Sequence, residues 1–581
     1  MNAERLLSLY ERVADAPDAV ARLRRLVLDL AVRGKLVEQD PEDEPASELL
    51  HKTTVRSSHR GQTKGSRKKA QSVAARKDLI FEIPAHWEPL LVSQALQAVQ
   101  TGPFGSSLHK SDYLKGGTPV LNPACIKNGF IVPNEEMAVG PATLERLASF
   151  KLRTNDILMA RRGEMGRCAV ITKREEGWLC GTGSLILRPS DALFPEYLAL
   201  VVSSPTGRTF LGRTAVGTTM QNLNQSILLR MPFGLPPLSE QRRIVAKVDE
   251  LMALLDRLES ARTKRETIRD RLTSASLARL TAPETTTTHF SSHARFALDA
   301  LPALTHRADQ IKSLRQTILN LAVRGKLVEQ DPEDEPASEL LKRIKIEKVR
   351  LVKSGEIKKQ KALPSFGPEE ISLRLPVGWT WVRLGDLCQF VTSGSRDWAK
   401  YYANEGAIFI RMGNLSKDHY RLRLDNIQRV IPPTDGEGTR TRLEGGDILI
   451  SITGDVGMLG LVPDGFGEAY INQHTAMVRP IQEMKGRYLV ELFRSPFAQD
   501  QFNAPKRGIK NSFRLTDVTH FLVPLPPLAE QHRIVVKVDA LMALCDRLET
   551  ALSTADTTRA RLLESLIHEA LTPSDAIPEA A

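Results

Sequence analysis

The sequence predicts an α+β protein made of two equivalent halves, and three observations predict it. The block LAVRGKLVEQDPEDEPASELL at residues 30–50 recurs letter for letter at 321–341, an offset of 291, as duplication of a whole unit requires. Each copy is followed by a long stretch of short β-like pieces broken by Gly, Pro and Asn. Each stretch then closes with a Leu-Pro-Pro-Leu turn and a long helix with apolar periodicity. The expected arrangement is two mixed α/β domains with β-rich cores, separated by two long antiparallel coiled-coil helices in a pseudo-twofold arrangement.

Residues 1–50 form a first helical segment. Leu23, Leu26, Val27 and Leu30 mark one face of a helix, Gly34 stops it, and Asp40 to Pro45 is an acidic turn. Residues 51–79 are a basic, flexible tether; from His51 to Lys77 there is no Asp or Glu and too little apolar surface for a core. It is either solvated or in contact with phosphates. Residues 80–234 are the first β-rich domain and 235–280 the central helix. Pro236 and Pro237 cannot sit inside that helix, so Ser239-Glu-Gln opens it. Its seam runs through Ile244, Val248, Leu251, Leu255 and Leu258, meets Arg262 and Arg265, and resumes at Leu272. From Ser239 to Leu272 it spans roughly 50 Å at about 1.5 Å per residue.

A flexible linker at 281–305 leads to the second copy of the helical segment, 306–341. A second basic tether of more helical composition follows at 342–370, then the second β-rich domain at 371–524. The C-terminal helix, 525–572, carries a clearer seam: Ile534, Val538, Leu541, Cys545, Leu548, Leu552, Ala555, Leu562 and Leu566, with Arg559 the one charged intruder. Residues 573–581 read as a disordered tail.

The two β-rich domains share landmarks at offsets of 289 to 292. Ile83-Pro-Ala-His-Trp87 matches Leu375-Pro-Val-Gly-Trp379, and GTPVL at 117–121 matches GAIFI at 406–410. Asp156-Ile-Leu158 matches Asp447-Ile-Leu449, and Arg162-Gly-Glu-Met-Gly166 matches Thr453-Gly-Asp-Val-Gly457. Most residues between the landmarks differ, so a common scaffold carries two different surfaces. Trp87 and Trp379 read as core anchors.

Composition narrows the function classes. The net charge of +11 points weakly toward a polyanionic partner. No run of about 18 apolar residues predicts a membrane span, and the acidic N-terminus does not read as a signal peptide, so a cytoplasmic protein is expected. The five cysteines form no C-x-x-C pair and read as free thiols. Walker and G-x-G-x-x-G phosphate loops are missing, as are an Asn/Asp-Pro-Pro-aromatic methyltransferase motif, a Pro-Asp…Glu-x-Lys nuclease centre and a zinc array. Asn472-Gln-His474 reads as a polar strand end, and Glu38 to Glu44 as a solvated turn without calcium-loop order. No catalytic residue, metal site or cofactor is expected on this chain.

Divergent domains alternating with repeated helical segments resemble the specificity (S) subunit of type I restriction-modification systems. The doubled 21-residue block, the doubled Leu-Pro-Pro-Leu-[Ser/Ala]-Glu-Gln with its helix, and the Pro-x-[His/Gly]-Trp openings carry the resemblance over nearly the whole chain. It implies a non-enzymatic subunit whose target-recognition domains each read one half of a bipartite site in double-stranded DNA. The helices would set the spacer. The resemblance also implies two modification (methyltransferase) subunits and, in the full complex, two restriction subunits. S-adenosylmethionine, ATP and Mg²⁺ are expected on those partners.

Major-groove reading favours Arg, Lys, Asn and Gln. In the first domain the candidates are Thr101, Ser106 and Lys110, then Lys127, Asn128, Arg161 and Arg162, and then Gln221, Asn222 and Asn224. In the second they are Ser393, Arg396, Lys400, Arg411, Asn414, Lys506, Arg507, Lys510 and Asn511. The repeated block lies outside both variable domains, so it is expected not to read DNA but to structure the pseudo-twofold centre and present equal surfaces to two modification subunits. Two readings of other classes compete: a self-sufficient DNA methyltransferase or nuclease with an unrecognised active site, and a coiled-coil adaptor with no DNA role.

Overall fold

The structure, a computed structural model, describes residues 3–14, 16, 18–51, 76, 79, 81–104, 107–213, 223–281, 292–297, 305–371, 373–394, 396–432, 438, 440–504 and 513–571. Most of the first tether, most of the linker and the C-terminal tail lie outside the described residues. The chain divides into two compact units, residues 1–264 with 555–581, and residues 265–554. Each long helix therefore contributes residues to both.

In the first unit the helix Ala19–Val32 buries Val20, Leu23, Leu26, Val27 and Leu30. Gly34, at φ +69°, reverses the chain after it, and Lys35 N donates to Leu30 O at 2.9 Å, satisfying a terminal carbonyl. The long helix Leu238–Thr281 buries Ile244, Val248, Leu251 and Leu255 in the same core, which also takes in Leu563. The first partner of the seam is thus the short helix of its own half. Arg24 reinforces that contact through Asp256 and Glu259, at 2.5 and 2.7 Å.

The β-rich domain is inserted into this helical frame. Its incoming strand Glu88–Leu91 pairs antiparallel with the outgoing strand Pro232–Leu235, so the chain enters and leaves side by side. The main sheet is antiparallel, ordered Leu96–Thr101, Ser184–Pro189, Ile157–Ala160, Cys168–Val170. A second sheet orders Leu179–Cys180, Thr118–Leu121, Ala138–Val139 and Tyr113–Leu114, its first pair parallel.

The second unit repeats the entry pair and both four-stranded sheets of this plan. Thr380–Arg383 pairs with Leu522–Leu525. The main sheet is Cys388–Ser393, Thr475–Pro480, Ile448–Ser451, Leu459–Leu461, and the second sheet is Tyr402–Ala403, Gln428–Val430, Ala407–Ile410, Ala469–Ile471. Gly325 sits at φ +63° and Lys326 N donates to Leu321 O at 3.0 Å. Arg315 bridges to Asp546 and Glu549.

One buried clamp fastens each domain to its frame, and it explains much of the repeated block. Glu240, fully buried, accepts from Trp87 Nε1 at 3.0 Å and from Gln39 Nε2 at 2.9 Å, and Gln39 also donates to Gly34 O. Glu530 accepts in the same way from Trp379 (2.8 Å) and Gln330 (2.7 Å). A Cβ on Gly34 would lie 2.4 Å from Pro84 Cγ and 3.1 Å from Trp87, and one on Gly325 would meet Pro376 and Trp379 at the same distances. Asp43 takes a two-pronged bond from Arg243, and Asp334 one from Arg533. Charge-assisted hydrogen bonds of this kind are worth about 1.5–3 kcal/mol each. Gly34, Gln39 and Asp43 are therefore held identical in both halves by internal packing. Glu38, Glu42 and Glu44, with their copies Glu329, Glu333 and Glu335, remain at the surface.

Two expectations are corrected, the seam register and the second tether. The seams do not keep their register: Leu272 and Leu548 are exposed (40% and 42%), while Leu280 and Leu563 are buried. A straight helix of 3.6 residues per turn drifts by about 20° per heptad against a 3.5-residue seam, so the buried stripe slides onto neighbouring positions. Each long helix runs for 44 residues, or roughly 66 Å, within about three residues of the 235–280 and 525–572 bounds at each end. The second tether is not a tether in its first part. Helix Ala337–Lys353 buries Leu340, Ile344 and Leu351, and Lys348 Nζ donates to Gly385 O at 2.8 Å.

Candidate nucleic-acid interface

In each domain the main sheet brings three strand ends to one edge. Ser184 stands opposite Ala160, and Leu185 opposite Thr101. The loops leaving these ends are tied to one another. Gly102 N donates to Ser184 O (2.9 Å), Arg161 N to Gly183 O (2.9 Å) and Leu223 N to Arg161 O (2.9 Å). Gly102 is obligatory, because a Cβ there would lie 2.3 Å from Gly181 O. The second domain builds the same edge: Gly394 N donates to Asn472 O, Ile452 N to His474 O (2.9 Å) and Phe513 N to Ile452 O (2.8 Å). A Cβ on Gly394 would lie 2.2 Å from Ile471 O.

A buried ion pair braces each sheet behind the edge. Arg188 Nε donates to Asp156 at 3.1 Å, and Arg479 holds Asp447 through Nε (2.8 Å) and a second nitrogen (2.7 Å). Burial pushes both carboxyls above their ordinary range; the Arg153 N–H and then the Arg188 guanidinium oppose this at Asp156, and the Arg479 guanidinium opposes it at Asp447. The Arg479 side chain also lies 4.9 Å from the Phe390 ring.

This edge gathers Thr101, Arg161, Arg162 and Asn224 of the first domain's candidates. Arg162 is exposed and has no hydrogen-bond partner among the described residues, whereas Arg161 Nε is turned back onto Leu223 O at 3.3 Å. Asn224 caps the helix Gln225–Leu229 by accepting from Ser226 N. Lys110 is exposed on a 3₁₀ turn, and Lys127 and Asn128 form the tip of the hairpin Ile126–Ile131, Asn128 at φ +49°. Ser106, Gln221 and Asn222 lie outside the described residues.

In the second domain Ser393 ends its strand at the edge, and its carbonyl accepts from Arg440 at 2.8 Å. Arg396 and Lys400 are exposed on the following 3₁₀ turn, with Lys400 Nζ 4.9 Å from the Tyr401 ring. Arg411 is half-buried. Asn414 is a correction: it is 4% exposed, its oxygen accepts from Arg411 N, and its nitrogen donates to Arg423 O and Asn426 O. Its polar atoms are committed to closing the 411–426 loop and are not offered to a ligand. Lys506, Arg507, Lys510 and Asn511 lie outside the described residues. Sequence reading did not single out Arg440, which bonds the Ser393 strand end, and it treated Gln473 and His474 as a strand end only; the alignment of the two halves at Ser184 and Thr475 is the signal that points to the latter two.

Two stretches, residues 104–267 and 376–555, match the family described as the type I restriction modification DNA specificity domain, and together they cover more than half of the chain. The chain belongs to this family. It is similar along its length to the type I restriction enzyme EcoEI specificity subunit of Escherichia coli, 29% identical over 572 residues, with 95% of this chain and 94% of the relative covered. The EcoAI specificity subunit of the same species is 28% identical, with the same coverage. Among solved structures, the HsdS subunit from Thermoanaerobacter tengcongensis is 19% identical with a TM-score of 0.41, covering 85% of this chain and 98% of that one. A chain solved in work on complex assembly and conformational transition of the type I R-M system has a TM-score of 0.49 at 19% identity, covering 84% and 99%. Membership of the specificity family assigns the duplicated β-rich domains as DNA-recognition domains. Among the described residues no helix is long and apolar enough to cross a membrane.

Proposed function

We propose that this chain is the sequence-reading, non-catalytic subunit of a type I restriction-modification complex. Each domain reads one half of a bipartite site through the loop edge of its main sheet. The observation that carries this reading is the pair of edges itself: the ties Arg161 N to Gly183 O and Leu223 N to Arg161 O recur as Ile452 N to His474 O and Phe513 N to Ile452 O, while the side chains these loops present differ. A scaffold held constant under two different polar surfaces suits two readers with two targets.

The long helices set the separation of the half-sites. Halves one helical turn apart have centres about 34 Å apart, and helices of roughly 66 Å reach that far. Two modification subunits dock on the helical frame and bring S-adenosylmethionine, and two restriction subunits bring ATP- and Mg²⁺-dependent chemistry. The exposed acidic residues common to both copies, Glu42 and Glu44 with Glu333 and Glu335, are favoured contacts for the paired modification subunits. The complex works in the cytoplasm, where its DNA is. A footprint of the assembled methyltransferase should show two protected patches that weaken with salt, and the chain alone with S-adenosylmethionine and Mg²⁺ should modify nothing. Methylation or cleavage by the chain alone would overturn this reading.

A further inference from the structure

The two edges differ in one ordered way. With Ser184 aligned on Thr475, Thr182 and Gly183 of the first domain correspond to Gln473 and His474 of the second, and Arg162 corresponds to Thr453. The supporting backbone is shared at the loop that carries Arg162 or Thr453, and it differs at the facing turn, where Gly183 sits at φ +84° and His474 has no positive φ. Gly163 and Gly166 sit at φ +82° and +78°, and Gly454 and Gly457 at +70° and +85°. The bond from Arg161 N to Gly183 O is matched by that from Ile452 N to His474 O, both 2.9 Å. On this common frame the long polar side chain has changed loops. The first domain sends out Arg162 opposite a glycine. The second has the short Thr453 opposite His474 and Gln473.

We propose that Gln473, held by His474 and Thr453, is the base-reading group of the second domain, directed at an A·T pair, as Arg162 is for a G·C pair in the first. This rests on the reading of the chain as a DNA specificity subunit. The geometry of the cluster supplies the argument. Asn472, 8% exposed, fixes the turn by accepting from His474 N at 3.2 Å and from Thr475 Oγ1 at 3.1 Å, so closure of the turn uses the backbone of His474 and neither the Gln473 nor the His474 side chain. His474 Nδ1 lies 2.7 Å from Thr453 Oγ1, and its Nε2 lies 2.9 Å from Gln473 Nε2. In that arrangement the Gln473 amide gives one N–H to the imidazole, and the imidazole Nδ1–H donates to the threonine hydroxyl. Gln473 keeps one N–H donor and its carbonyl acceptor. Adenine presents the complementary pair in the major groove, N7 as acceptor and the N6 amino group as donor. His474 and Thr453 act as positioning residues that hold this fork. The guanidinium of Arg162 offers two donors, which match O6 and N7 of guanine.

The test is selection of target sites from a library randomised in both half-sites, by the complex of the full chain with its modification subunits. Wild type should select an A·T pair at one position of the second half-site and a G·C pair in the first. Gln473→Ala should flatten the A·T preference by roughly 5- to 150-fold and leave the first half-site intact. Arg162→Ala should do the converse. Gln473→Glu, nearly isosteric, should turn the preference at that position toward cytosine, whose N4 amino group donates to a carboxylate. His474→Ala should weaken the same position and no other. If wild type selects no bipartite site, the specificity-subunit reading fails. If it selects one and both Gln473 variants keep the second half-site unchanged, or lose both halves equally, the assignment of Gln473 is wrong.

Discussion

Replacing Glu530 by Gln tests the clamp that seats the second domain on its helical frame. Glu530 is 1% exposed, and its two oxygens accept from different donors, Trp379 Nε1 at 2.8 Å and Gln330 Nε2 at 2.7 Å. Burial raises this carboxyl above its ordinary range, and the Trp379 and Gln330 hydrogen bonds hold it down. An amide keeps the shape but has one oxygen, so its NH₂ must face either the indole or the Gln330 amide. One buried donor then loses its acceptor, which costs about 1–3 kcal/mol. Relief of charge burial offsets part of this, so the lower half of the range is expected. Native-state hydrogen exchange reads the effect locally. Amides of the strand pair Thr380–Arg383 and Leu522–Leu525 should exchange about 5- to 30-fold faster, from 1–2 kcal/mol at about 1.4 kcal/mol per decade. The corresponding pair Glu88–Leu91 and Pro232–Leu235 should be unchanged. Unaltered exchange in the second pair, or equal acceleration in both, would refute the clamp.

Other outcomes follow from named contacts. Gly325→Ala forces a side chain into a backbone at φ +63° and onto Pro376, so thermal unfolding of the second unit should lose at least about 1–2 kcal/mol. Arg243, and then Ser239, hold the Asp43 carboxyl below its ordinary value of about 3.9. The stabilisation is present above that pH and is lost as pH falls through the depressed value, so the stability gap between wild type and Asp43→Asn should be constant near neutrality and close in acid. Lys345→Ala, at an exposed position of the helix Ala337–Lys353, should lower the salt slope of DNA binding by about 1 and leave sequence preference unchanged. Reversing the charge of Glu42, Glu44, Glu333 and Glu335 together should block assembly with the modification subunits, which size-exclusion chromatography of the mixed subunits would show; normal assembly would remove that surface from the docking face.

The duplication was legible because an identical block must occupy an identical place, and the landmark pairs Asp156/Asp447 and Trp87/Trp379 fall at corresponding positions of both sheets. The clamp was not. Glu240 and Glu530 follow a Pro-Pro-Leu turn, where an acidic residue already has a reason to sit at a helix start. Only the fold brings an indole from over 150 residues away onto each carboxylate. The seams were legible in kind but not in register, because a heptad pattern fixes a stripe only while the helix follows it. Asn414 has the composition of a base reader, yet its loop turns back over it, and no local signal separates an amide that closes a loop from one that meets a ligand. For Gln473 the informative signal lay in the comparison of the two halves, Gly183 against His474 and Arg162 against Thr453.

The most direct test of two heads reading two half-sites is methylome sequencing of a host that carries this chain with its cognate modification subunit. One motif is predicted, two short defined blocks separated by a constant run of undefined bases, with a methylated adenine in each block. A single continuous motif, or no motif that depends on this chain, would contradict it.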